Sequence, residues 1–225
     1  MNAQGKRSGE TAREYAYRMI REQVISLELK PGEAFNDMEF AAKIGVSRTP
    51  VREAVIQLSE ESRIIEIFPQ RGMRIAPIDV ELVEEARSLR VLLEKQIAGM
   101  CCEMATEEDI KWLQENVGLQ EFYMENSRPE MVMQLDDEMH RKLFMICHRE
   151  LTYGMCQKLA IHYDRIRSLS VNTVKDNTII EDHRKIIQFI AEHKKENAMA
   201  QMEKHLSRWQ LNEGKFRQEF PDYFK

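Results

Sequence analysis

Apolar residues recur at three- and four-residue steps through most of the chain. Ala12, Ala16, Met19, Ile20, Val24 and Leu27 form one stripe and predict an amphipathic helix over residues 11–28. Lys30-Pro31-Gly32 ends it. Asn36, with Glu39 three residues on, reads as the capping-box start of a second helix whose apolar side is Phe40, Ala41 and Ile44. Gly45 suits the left-handed position just past a helix end, and Val46-Ser47 complete a tight turn. A third helix begins near Arg48, capped by Ser47 or Thr49, with Pro50 in its first turn, where a missing N–H costs little. Val51, Val55 and Leu58 are its buried stripe. The period then switches. Residues 64–68 and 73–76 are short β-prone runs around Pro69-Gln70-Arg71-Gly72, a hairpin pattern. Three helices with a tight turn between the last two, then a hairpin, describe a winged helix-turn-helix over residues 1–77.

Beyond Pro77 and Asp79 the helical period holds to the end. It predicts helices near 79–101, 106–126, 129–147, 151–171, 177–193 and 196–218, with breaks at Ala105-Thr106, Ser127-Arg128-Pro129, Glu150-Leu151-Thr152, 172–177 and 193–196. The expected fold is therefore mainly α: the winged head, then an all-α six-helix bundle over residues 78–225. Composition agrees, since 9 Gly and 6 Pro among 225 residues leave room for long helices. With 43% hydrophobic residues the chain is too apolar to be disordered. No apolar run nears the roughly 20 residues of a membrane helix, and the first residues lack the apolar stretch of a signal peptide. Cys101, Cys102, Cys147 and Cys156 form no CxxC pair. Reduced thiols in a cytoplasmic protein are the simplest reading.

The net charge of -5 argues against a protein that coats nucleic acid by bulk electrostatics, but the charge is uneven: residues 1–77 sum to +1 and residues 78–225 to -6. On the third helix, with Val51 at zero on a wheel of about 100° per residue, Val55 and Leu58 fall within about 40°. Thr49, Arg52 and Glu53 fall at roughly 100–200°, on the outward face, and Arg48 stands at the entry. An arginine fork there can hold a guanine edge or a phosphate through two hydrogen bonds. Thr49 can donate to a phosphate or touch a thymine methyl, and Arg71 at the hairpin tip, with Gly72 allowing close approach, can reach a minor groove.

These residues carry a resemblance. The run Gly45-Val46-Ser47-Arg48-Thr49-Pro50-Val51-Arg52-Glu53-Ala54 resembles the recognition-helix signature of GntR-family bacterial transcription regulators, with Lys30-Pro31-Gly32 and Gln70-Arg71-Gly72 where that family has its linker and wing. The resemblance implies DNA contacts from Arg48, Thr49, Arg52, Arg71 and Gly72. Two positions depart from the pattern: Met38 stands where some members have a base-contacting arginine, and Ser62 where a helix-ending glycine is usual.

A second constellation lies in the helical part. Asp136 and His140 are four apart and share a helix face. His183 and His205 stand 11 residues before and after Lys194, near the expected hinge of the last two helices, so antiparallel packing would bring them to one height. Three imidazoles and a carboxylate inside a bundle suit a divalent first-row ion with open positions. Core histidines that merely pack are the rival reading. Asp182 could orient a ligand from outside, and His148, His162 and His193 show no such relation. The runs Leu135-Asp136, His140, Asp182-His183-Arg184 and Glu203-Lys204-His205-Leu206 resemble the C-terminal FCD domain of the FadR subfamily. That resemblance implies a divalent metal on Asp136, His140, His183 and His205, zinc first, with nickel, manganese or iron as alternatives. It also implies a small carboxylate effector met by Arg90, with Arg87 as fallback; an ion pair from Arg90 to Glu94 on the same helix is the competing role. His148-Arg149 replaces the more usual Gly-Asn.

The resulting expectation is a homodimeric regulator, not an enzyme or a membrane protein, that binds double-stranded operator DNA under control of a small organic acid. Three alternatives remain open in the sequence: a metal-dependent hydrolase fused to a DNA-binding head, a regulator that senses the metal itself, and a helical dimerisation module with core histidines.

Overall fold

The computed structural model describes residues 5–173 and 178–225. Helix α1 (Ala12–Ile25) starts at Thr11, which forms a full capping box with Glu14, and buries Ala16, Ile20 and Val24. Strand β1 (Ala34–Phe35) follows; the hydrophobic pattern did not announce it, because two residues carry no period. Helix α2 (Asp37–Ile44) is capped by Asn36, whose Oδ1 accepts the backbone N–H of Met38 and Glu39. Glu39 answers through the Asn36 side-chain amide rather than its backbone. Gly45 takes φ 74°, the left-handed value that lets the chain turn sharply into helix α3 (Arg48–Ser62). Ser47 occupies the cap position of α3 without a side-chain cap bond. Val51, Ala54, Val55 and Leu58 are fully buried.

At the end of α3, Ser62 donates its hydroxyl to the Leu58 carbonyl, and Arg63 takes the left-handed φ of 55°. The left-handed residue that the glycine expectation placed at Ser62 therefore falls one position later. Strands β2 (Ile65–Phe68) and β3 (Gly72–Ile75) form the hairpin, and β1 pairs on the far side of β3. Gln70 and Gly72 carry positive φ at its tip.

The chain divides into one unit of Met1–Val80 with Phe220–Lys225 and a second of Glu81–Glu219. Residues 220–225, counted above with the helical part, lie in the first unit: the amide of Ile78 donates to the Tyr223 carbonyl at 2.7 Å, and the Lys225 amide donates back to Ile78 at 3.0 Å. Pro221–Tyr223 is a short 3-10 turn.

The second unit is all helical among the described residues. It holds α4 (Val80–Met104), α5 (Glu107–Glu125), α6 (Pro129–Ile146), α7 (Glu150–Leu159), α8 (Ile161–Thr173), α9 (Thr178–Ala191), α10 (Lys195–Leu206) and α11 (Trp209–Glu219). Two of the six expected helices are thus each divided in two. The first divides at Ala160, a residue with right-handed φ and ψ and no glycine or proline beside it, so no breaker marks the bend. The second divides at Ser207, whose hydroxyl donates back to the Glu203 carbonyl, a bond that bends helices. The Leu206 carbonyl freed there accepts the Tyr163 hydroxyl at 2.8 Å. Of the break expected over 172–177, residues 174–177 lie outside the described residues. Ile97, Cys101, Leu113, Val117, Met139 and Ile186 are among the residues that fill the core between α4, α5, α6, α9 and α10. No described helix is long and apolar enough to cross a membrane.

Candidate metal centre and DNA-reading face

The inner stripe of α6 runs Val132, Leu135, Asp136, Met139, His140 and Leu143, so a carboxylate and an imidazole interrupt an otherwise apolar face. The same holds for α9, where His183 sits between Ile180 and Ile186, and for α10, where His205 follows Met202. Packing these faces together brings the four polar groups next to one another. One ligand atom from each of Asp136, His140, His183 and His205 lies within 4.8 Å of all the others, and all four residues are buried. His183 Nε2 stands 3.3 Å from His205 Nε2 and 3.2 Å from Asp136 Oδ1. Bonds of 2.0–2.1 Å from a tetrahedral zinc would put neighbouring donors about 3.3 Å apart. His140 Nε2 is buried without a hydrogen-bond partner and lies 3.8 Å from Asp136 Oδ2. These residues fit a divalent ion.

Two further side chains orient the imidazoles. His183 Nδ1 lies 2.9 Å from Gln120 Oε1, so it carries the proton and leaves the Nε2 lone pair facing the cluster. Gln120 in turn donates to Asn116 Oδ1 at 2.7 Å, which fixes its amide. Glu94 Oε2 stands 2.5 Å from His140 Nδ1. Neither Gln120 nor Glu94 was singled out from the sequence for this role. A signal was present on α5, where Asn116 and Gln120 fall in the stripe of Leu113 and Val117. Asp182 does not orient a histidine: it accepts Gln201 at 2.6 Å and is ion-paired to Arg208.

A cavity opens beside the cluster, with Arg90, Asp136, Tyr163, Arg167, His205 and Arg208 on its walls. Arg90 is buried, its Nε 2.5 Å from Glu94 Oε1 and its guanidinium 5.2 Å from the Tyr163 ring centre. Arg87 is not among the described residues lining this cavity; it meets Glu84 at 2.8 Å and Ser207 at 3.1 Å. Arg167, missed in the sequence, bridges Asp136, Asp137 and Asp164.

Burial would push the Asp136 carboxyl up, but Arg167 and the neighbouring histidines hold it well below the usual range, as a carboxylate ready for a cation. Burial pushes His205 well below 6.5, helped by His183 and His140, and lowers His183 despite Asp136. In the unfolded chain both titrate near 6.5. The unfolded state of the metal-free protein therefore takes up protons that the folded state refuses. Stability is full above that pH and falls below it by about 1.4 kcal/mol per pH unit per histidine until the folded value is reached. Melting curves of chelator-treated protein between pH 8 and 5.5 check this, and a flat profile would contradict it.

On the winged unit Arg48, Thr49, Arg52, Arg71 and Gly72 are all exposed, and Arg48 rests its Nε 3.0 Å from the buried carboxylate of Asp37. Arg74, beside them on β3, pairs with Glu66 and lies over the Phe68 ring at 5.3 Å. The profile of bacterial regulatory proteins of the gntR family matches residues 12–75, and that of the FCD domain matches residues 85–208. The chain belongs to the GntR family, with an FCD domain. It is similar to the HTH-type transcriptional repressor RspR of Escherichia coli K12, with 28% identity over 92% of this chain and 91% of that protein. It is also similar to the Nta operon transcriptional regulator of Aminobacter aminovorans, with 26% identity over 82% of this chain and 86% of that one. The solved structure of E. coli McbR/YncC shares the fold, with TM-score 0.78 at 17% identity over 93% and 99% of the two chains. This GntR-family protein is a DNA-binding transcription regulator; its relatives are regulators and not enzymes, which removes the hydrolase alternative.

Proposed function

We propose that this GntR-family chain is a cytoplasmic repressor whose operator binding is set by a small organic acid held at a divalent metal in the FCD domain. The observation that carries the reading is the convergence of Asp136, His140, His183 and His205 beside an arginine-lined cavity. The ion, zinc first and nickel, manganese or iron otherwise, supplies a Lewis acid for a carboxylate oxygen. Arg90, backed by Glu94, is the arginine of that cavity assigned to the effector; Arg87 stays outside it. Arg48, Thr49 and Arg52 read the major groove, and Arg71 with Gly72 enters the minor groove or meets its phosphates. The acid controls binding only if it has different affinities for the DNA-competent and incompetent states. That RspR is named a repressor supports the same sign here.

The test is operator binding titrated in turn with chelator, metal and carboxylic acids. Loss of response to acids after chelation, restored by metal, is the expected result. Operator binding that follows the metal alone would make the ion the signal instead, and indifference to all three would overturn the reading.

A palindromic operator calls for two copies related by a two-fold axis. Helix α7 exposes Leu151, Met155 and Leu159 at four-residue steps, to 88%, 73% and 47%. Such a stripe supports pairing with a second copy of this chain. Leu151→Glu with Met155→Glu is expected to halve the mass seen by light scattering and to weaken operator binding. An unchanged mass would exclude this stripe as the interface.

A further inference from the structure

We infer that the cavity beside the metal ligands selects acids with a single carboxylate and excludes dicarboxylates. This deepens the effector reading above and rests on it. Arginines on a cavity wall ordinarily welcome several negative charges, but these three are already engaged. Arg90 is held by Glu94, Arg167 by Asp136, Asp137 and Asp164, and Arg208 by Asp182. Among the described residues no lysine lines the cavity. Each of the three guanidinium groups thus already faces at least one carboxylate, which reduces what it can offer to an incoming acid.

A first carboxylate is met by the ion together with Arg90, the arginine assigned to it above. A second would have to lie against Val132, Met133, Val171 and Ile179, beside the uncharged hydroxyl residues Ser170 and Tyr163, or against the Asp136 carboxylate already in place. Burying an ion without a counter-ion is strongly unfavourable. A short acid with an uncharged body fits both the charge and the wall.

The test is calorimetric titration of full-length protein, its metal content first measured by elemental analysis, with butyrate and succinate, equal in chain length and differing by one carboxylate. Butyrate is expected to bind at least ten-fold more tightly. Ile179→Lys, at a half-buried wall position in the first turn of α9, adds a cation to that wall and is expected to raise the ratio of succinate to butyrate affinity at least ten-fold. Succinate binding as tightly as butyrate to metal-loaded wild-type protein overturns the inference and leaves the metal reading standing. Metal-loaded protein that binds neither acid at millimolar concentration also overturns it. Protein that takes up no metal brings down the metal reading, and the inference with it.

Discussion

Arg52→Ala is expected to abolish specific operator binding while leaving the fold, and any metal bound at the proposed centre, in place. Arg52 is exposed on the outward face of α3, opposite the stripe of Val51, Val55 and Leu58, so truncation removes no core contact. What it removes is a two-pronged donor. One good bidentate contact to a base is worth about 1–3 kcal/mol of discrimination. The proposed two-fold dimer would present it twice, which would give roughly 30-fold to more than 10⁴-fold in operator affinity. Competition between operator and random DNA in a binding assay reads the loss, with metal analysis as the control. A contact to phosphate alone would instead weaken both DNAs equally and lower the salt dependence. Retained specific binding would show that α3 reads nothing through this residue.

His183→Ala is expected to abolish metal binding at the proposed centre, and with it the stabilisation that a bound ion would confer. Its Nε2 faces both His205 and Asp136, and its Nδ1 is fixed by Gln120, so no other side chain replaces it. Loss of an outer partner alone costs about 10–100-fold in metal affinity; loss of a direct ligand costs more. A ligand present at 1,000 times its dissociation constant stabilises the folded state by about 4.1 kcal/mol. For a chain of this size that corresponds to a rise of very roughly 8–16 °C in melting temperature. The wild-type protein is expected to show such a rise on adding metal, and His183→Ala to show none. Equal rises in both proteins would mean that the ion binds elsewhere. Gln120→Leu separates orientation from ligation: it leaves four ligands but frees the imidazole tautomer, and an intermediate loss of affinity is the expected result.

The chain's own order of residues specified the winged head almost completely. Caps, the left-handed glycine and the stripes of α1 and α3 act through neighbours within four or five positions, and such interactions can be read directly along a chain. For the same reason Asp136 and His140 were legible as a pair, since four residues bring two side chains to one helix face whatever surrounds them. The competing role for Arg90, the ion pair with Glu94, was equally local and is present in the structure, where Arg90 also lines the cavity.

Only the tertiary structure decided the rest. His183 and His205 meet because α9 and α10 pack side by side, which their 11-residue spacing about Lys194 permitted but did not compel. Gln120 lies 63 residues from the imidazole it orients, and Arg167 lies 31 from Asp136. The bends at Ala160 and Ser207, the two-residue strand β1 and the return of residues 220–225 to the first unit carry no periodic mark. Hydrophobic patterning specifies which face of a helix is buried. Which buried polar groups then meet is fixed by how those faces pack, because each must find a partner once water is gone.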